Sequence, residues 1–203
     1  MKTNSLSPTG CIWLCATVIF ILQCLVNCKD SKSGDAGNHS RDRIALKQYN
    51  YEPGRFHILV PTDCEPYIEK EYPEVSFSGC PVKISIAWSF DENYRSLSSY
   101  DSVIAAFTDS MYRANPGAKK FADELAATIL SADTQTVHSA GVPGREIVMT
   151  EKPLGADGEL KSLRLETAHK GVFYALNISA IPEKFDQFRA IIDSITSSFT
   201  PIW

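Results

Sequence analysis

Val172-Phe-Tyr-Ala-Leu-Asn-Ile-Ser-Ala180 runs toward Phe185-Asp-Gln-Phe-Arg-Ala-Ile-Ile-Asp-Ser-Ile-Thr-Ser-Ser-Phe199 near the end of a 203-residue chain. In the first stretch Val172, Tyr174, Leu176, Ile178 and Ala180 recur at every second position, which turns them to one face of a β-strand. In the second, Phe185, Phe188, Ile192, Ile195 and Phe199 recur at three and four, an apolar stripe that can cover such a face. The pair predicts a sheet closed by an amphipathic helix. Neither stretch carries a catalytic constellation.

Working outward, strands over 145–150 and 162–169 join 172–180 in an antiparallel meander. Its reversals fall near Asp157-Gly158 and His169-Lys-Gly171. Val82, Ile84, Ile86, Trp88 and Phe90 alternate with Lys83, Ser85, Ala87 and Ser89, a strand apolar on one face and polar on the other. Phe56, Ile58 and Val60 give a first strand before Pro61. Ser98 with Asp101 reads as a helix cap, and Ile104, Phe107, Met111 and Ala114 then share one helical face until Asn115-Pro-Gly117 stops it. This Met and aromatic stripe is core rather than a cofactor box. A second helical segment, with Phe121, Leu125 and Ile129 inward, runs toward Ser131, and Thr134 to Ser139 reads as a short edge strand. Strands, helices, a meander and a closing helix make an α+β layered domain.

A family resemblance enters here. The run Gly141-Val-Pro-Gly-Arg-Glu, the strand with Arg164, Gly171-Val-Phe-Tyr-Ala-Leu and the helix ending Ile195-Thr-Ser-Ser-Phe199 resemble the C-terminal half of the PsbP/Mog1-like fold. The likeness covers residues 55–200 in element order, and its motifs are specific over 141–200. It implies an antiparallel β-sheet sandwiched by helices, an α/β/α arrangement. Members of that family serve as photosystem assembly subunits, regulators of a small GTPase or exported lipoproteins of unknown role. No metal or partner site of those members finds matching residues in this chain.

The N-terminus speaks about address. Lys2 and a polar stretch precede Cys11-Ile-Trp-Leu-Cys-Ala-Thr-Val-Ile-Phe-Ile-Leu-Gln-Cys-Leu-Val26, an apolar run shorter than the ~20 residues of a spanning helix. The reading is an export signal over residues 1–27. Leu25-Val-Asn-Cys28 resembles the lipobox of bacterial lipoproteins, with Asn27 where Gly, Ala or Ser is usual. On this resemblance Cys28 is lipidated and heads the mature chain, and two or three acyl chains give stable anchoring. A conventional cleavage site or an uncleaved signal anchor are the competing readings. Residues 28–54, rich in Ser, Gly and charge at their start, read as a tether, and the folded domain as 55–203. Asn38-His-Ser and Asn177-Ile-Ser match a glycosylation sequon that matters only in a eukaryotic secretory pathway. After signal removal and acylation, Cys64 and Cys80 are the two thiols left, and in an oxidising compartment they are most simply a disulfide.

Composition bounds the function. With 44% hydrophobic and 22% charged residues the chain is an ordinary globular protein with room for one domain and an extension. A net charge of -4 and no long Lys/Arg run argue against nucleic-acid binding. Nucleophile-elbow, zincin, phosphate-loop and dinucleotide motifs are missing, so the expectation is a protein that is not an enzyme, with no catalytic residues, no metal and no cofactor. His39, His57, His138 and His169 are scattered singly. Asp63, Glu65, Glu69, Glu71 and Glu74 lack the spacing of a calcium loop and read as a solvated loop. Arg145 and Glu146 are the candidate binding pair. Their plainer reading is a strand start after a turn in which Gly144 takes a backbone geometry other residues resist. In the sharper one Arg145 holds a carboxylate or phosphate at a cleft rim. The sequence therefore predicts an exported, lipid-anchored domain of the bacterial cell envelope that binds another envelope protein. Small-ligand or ion capture between sheet and helices is the alternative.

Overall fold

The computed structural model describes residues 44–68 and 72–203. The expected export signal, the lipidation site Cys28, His39 and the tether up to residue 43 lie outside the described residues, as do Glu69 and Glu71. The chain runs through β1 (Leu46–Tyr51), β2 (Phe56–Pro61), β3 (Glu65–Ile68), β4 (Glu74–Ser78), β5 (Lys83–Phe90), α1 (Leu97–Ala114) and α2 (Pro116–Ala126). There follow β6 (Ile129–Ser139), β7 (Val142–Glu151), β8 (Leu160–His169), β9 (Val172–Ala180), α3 (Pro182–Gln187), α4 (Arg189–Ser198) and β10 (Thr200–Pro201). Seven strands form one antiparallel sheet in the order β3-β4-β5-β9-β8-β7-β6, and β1-β2-β10 form a small second sheet.

Alternation builds the core. Register sets Ile84, Ile86 and Trp88 of β5 beside Ile178, Leu176 and Tyr174 of β9, and Leu163 and Leu165 of β8 beside Ile178 and Leu176. These side chains share one face, because strand residues two apart point the same way. Over that face lie Phe56, Ile58 and Val60 of β2, Phe185 of α3, Ile192 and Ile195 of α4, and Phe199, all of them buried. The opposite face carries α1, whose Tyr100 stacks on Phe173 with ring centroids 3.7 Å apart, beside Ala168, Ala175 and Tyr94. Helices on both faces of an antiparallel sheet give the α+β sandwich expected of the sequence.

Several boundaries move, each for a physical reason. β1 falls inside the stretch expected to be tether: Leu46 through Tyr51 pair with Pro61 through Phe56, and Tyr49 and Tyr51 pack on the core. The charge and Ser/Gly content that suggested a linker stops short of these tyrosines. The helix cap is Ser96, whose Oγ accepts from the backbone N–H of Ser99 at 3.2 Å, because Asp101 is drawn to an arginine instead. Ile129 opens β6 rather than closing a helix, and the edge strand has eleven residues. Part of the acidic stretch expected to be loop is the hairpin β3–β4. Gly144 is needed for space: a Cβ there would sit 2.8 Å from the carbonyl oxygen of Glu166 on β8. Cys64 and Cys80 are joined as a disulfide with Cα atoms 4.9 Å apart.

Candidate functional site

Period two sends Arg145 and Glu146, neighbours in sequence, to opposite faces of β7, so they do not form one site. Glu146 is buried, and its Oε1 accepts from Gln135 Nε2 of β6 at 2.8 Å. Arg145 points toward α1. Its Nη1 and Nη2 donate to the two carboxylate oxygens of Asp101, each at 2.9 Å, and its Nε donates to Glu166 across the β7–β8 pair. Burial works against the charge of Arg145, but the hydrogen bonds to Asp101 and the charge of Glu166 outweigh it, and its pKa is raised. All three of its guanidinium nitrogens are engaged, so Arg145 straps the first half of α1 to the sheet.

Glu166, 3% exposed, also faces a second arginine: Arg164 Nε of β8 lies 2.5 Å from Glu166 Oε1. The phenol of Tyr100 is pushed up by burial and feels the charges of Arg164 and Glu166, which act in opposite senses. The sequence pointed to Arg145 but not to its partners. Arg164 and Glu166 stand between Leu163, Leu165 and Thr167 in a strand buried on both faces, and charges inside such a run are paired. That pattern was available. Asp101, 44 residues from Arg145 in sequence, could not be matched to it without the fold.

Three other features complete the inventory. Arg55, at φ +52°, stands with Glu52, Ile202 and Trp203 around a hollow of about 340 Å³, and its guanidinium lies 5.7 Å from the Phe90 ring centroid. No group of three or more His, Cys, Asp or Glu able to hold a metal occurs among the described residues. β6 is an edge. Eight of its eleven residues in succession, Ile129 to Thr136, are exposed, and among the described residues no strand pairs with its outer side.

No protein-family model and no curated protein matches the chain. Solved structures do. Cyanobacterial PsbP (CyanoP) from Synechocystis is similar over 83% of this chain and 98% of its own, at 15% identity and a TM-score of 0.53. The Ran-binding protein Mog1p of Saccharomyces cerevisiae is similar over 79% and 97%, at 9% identity and a TM-score of 0.43. LpqN, involved in cell envelope biogenesis of Mycobacterium tuberculosis, is similar over 78% and 92%, at 12% identity and a TM-score of 0.43. The first of these likenesses shows the fold, and this chain has the PsbP/Mog1-like α/β/α architecture.

Proposed function

We propose that this chain is an exported, lipid-anchored, non-catalytic domain that docks an extended segment of another envelope protein along the outer edge of β6. The observation that carries the reading is that edge. An unpaired strand offers a row of N–H and C=O groups, and proteins ordinarily blunt it with proline, lysine, a bulge or brevity. The opposite edge, β3, has four residues, one of them Pro66, and Lys47 and Glu65 form an ion pair beside it. β6 has eleven residues with neither proline nor lysine, and its register irregularity is confined to Ile129/Ser131. Such a strand suits β-augmentation, in which main-chain hydrogen bonds give affinity and alternate side chains give specificity. Asp133 is the sole carboxylate on β6, and no ion pair involves it among the described residues. The segment that fits is therefore extended, rich in β-branched residues and bears a lysine or arginine opposite Asp133. Export is supported by the apolar leader and the disulfide, and anchoring by Cys28 with residues 29–45 between it and β1.

The test is photo-crosslinking in intact cells from a probe at Thr134, with a probe at the exposed Lys83 as control. The expected result is one partner captured from Thr134 only, its crosslinked peptide mapping to an extended basic segment. Capture should fall in Cys28→Ala. Successive N–H groups along a strand alternate between inner and outer side, so one of Thr134→Pro and Gln135→Pro removes an outward donor while sparing the β7 ladder. That variant should stay folded and lose the partner. If both proline variants retain it, or if Lys83 captures it equally, the edge is not the docking site.

A further inference from the structure

We propose a second, independent site on the α1 face of the large sheet: an oxyanion, a carboxylate or phosphate group, held by Ser162, Arg164 and Asn177 between β8 and β9. The register brings the three together. Arg164 is directly paired with Asn177, and Ser162 lies two residues before Arg164 on the same strand face. Directly paired residues have Cβ atoms about 5 Å apart, within reach of one small ligand.

Each carries a buried polar atom that makes no hydrogen bond inside the fold, although Arg164 is ion-paired with Glu166. Ser162 is 8% exposed, and its Oγ, the Nε of Arg164 and the Nδ2 of Asn177 are buried with no hydrogen-bond partner among the described residues. Buried polar groups in native proteins are nearly always paired, and each one left unpaired is unfavourable. Three on adjacent positions mark a place where acceptors belong. The two arginines differ in this respect. Arg145 has every guanidinium nitrogen engaged by Asp101 and Glu166. Arg164 approaches Glu166 at 2.5 Å, but its Nε–H is not aimed along that contact, and no hydrogen bond of its guanidinium forms among the described residues.

The Arg164 side chain is 21% exposed, so the group sits at a rim and not in a sealed interior. A guanidinium fork matches the paired oxygens of a carboxylate or phosphate, and the amide and hydroxyl add donors at its side. A cation is disfavoured here by the guanidinium charge of Arg164, and the one nearby carboxylate, Glu166, is already shared by two arginines. Arg145, the residue the sequence offered as an anion holder, thus props the helix while its neighbour on β8 holds the anion.

The test is a titration of the ¹⁵N-labelled exported protein with inorganic phosphate, with acetate, and with chloride at matched ionic strength. It follows the Asn177 side-chain amide and the Arg164 Nε–H signals by NMR. At least one oxyanion should shift both signals saturably while chloride does not, and the tighter of the two identifies the ligand class. Arg164→Gln should weaken that binding about tenfold or more while the β6 crosslink of the preceding section persists. Ser162→Ala, which keeps the charge and the volume nearly constant, should weaken it by a smaller factor. If Arg164→Gln does not fold, the wild-type titration and Ser162→Ala decide. Signals that stay fixed, or that drift linearly with all three salts, would show that only water fills the site and would overturn the proposal.

Discussion

The hydroxyl of Tyr174 shows what one residue does for this fold. Its side chain is fully buried, and its O–H donates to the carbonyl oxygens of Gly54 at 2.8 Å and Arg55 at 2.9 Å, fixing the β1–β2 turn to the large sheet. Burial pushes its phenol up to about 12 against the opposing charge of Arg55, and burial raises Tyr100 as well. The unfolded chain releases these protons near pH 10, before the folded one does. It therefore binds fewer protons above that pH, and stability falls as pH rises. The contribution is fully present below about pH 10 and is lost toward about pH 12, at roughly 1.4 kcal/mol per pH unit for each tyrosine, or about 3 kcal/mol from Tyr174. Tyrosinate absorbance followed against pH should show Tyr174 and Tyr100 ionising only as the chain unfolds. Tyr174→Phe should cost about 1 kcal/mol at neutral pH and flatten part of the alkaline loss. Full ionisation of all tyrosines in a folded chain would contradict this.

Among the elements, β1 makes the sharpest prediction. Tyr49 packs edge-on to Phe77 with ring centroids 5.1 Å apart, and Tyr51 lies 5.2 Å from Trp88. A chain starting at Arg55 lacks both rings and should lose about 3 to 5 kcal/mol in denaturant unfolding, the scale of deleting a large aromatic from a core. A chain starting at Ile44 should keep its midpoint. Equal midpoints would return β1 to the tether. The same element shows how far the sequence could be read. β5, β9 and the closing helical stretch are legible because each buries a regular run of apolar residues, whereas β7 and β8 are legible from the turns that bound them. β1 is not, since Leu46, Gln48 and Asn50 alternate with Lys47, Tyr49 and Tyr51 and give no clean apolar face. The sequence shows β6 at about half its length, because Ile129-Leu130 fits a helical stripe as well as a strand and only pairing with β7 decides between them. At the candidate site a lone Arg145 stood out beside a turn, whereas Ser162, Arg164 and Asn177 become a group only when β8 and β9 are in register.

At the scale of the whole molecule, the Cys64–Cys80 bond pins the hairpin edge β3–β4 beside β5, closing a separation of 16 residues. Its reduction should cost about 3 kcal/mol in the chain-entropy account, read as a lower unfolding midpoint with the far-ultraviolet dichroism of the folded state retained. No change on reduction would mean that the edge is held by packing alone. The small sheet has a different consequence. β2 is flanked by β1 from the start of the domain and by β10 from its end. Leu59 N–H donates to Ser198 Oγ, Ser139 Oγ to the carbonyl of Phe199, and Ile202 N–H to the carbonyl of Arg55. The first elements to emerge during synthesis thus wait for the last before their core can close. A chain cut short before Thr200 would leave β2 without its β10 neighbour, so the small sheet is completed only by the last few residues of the sequence.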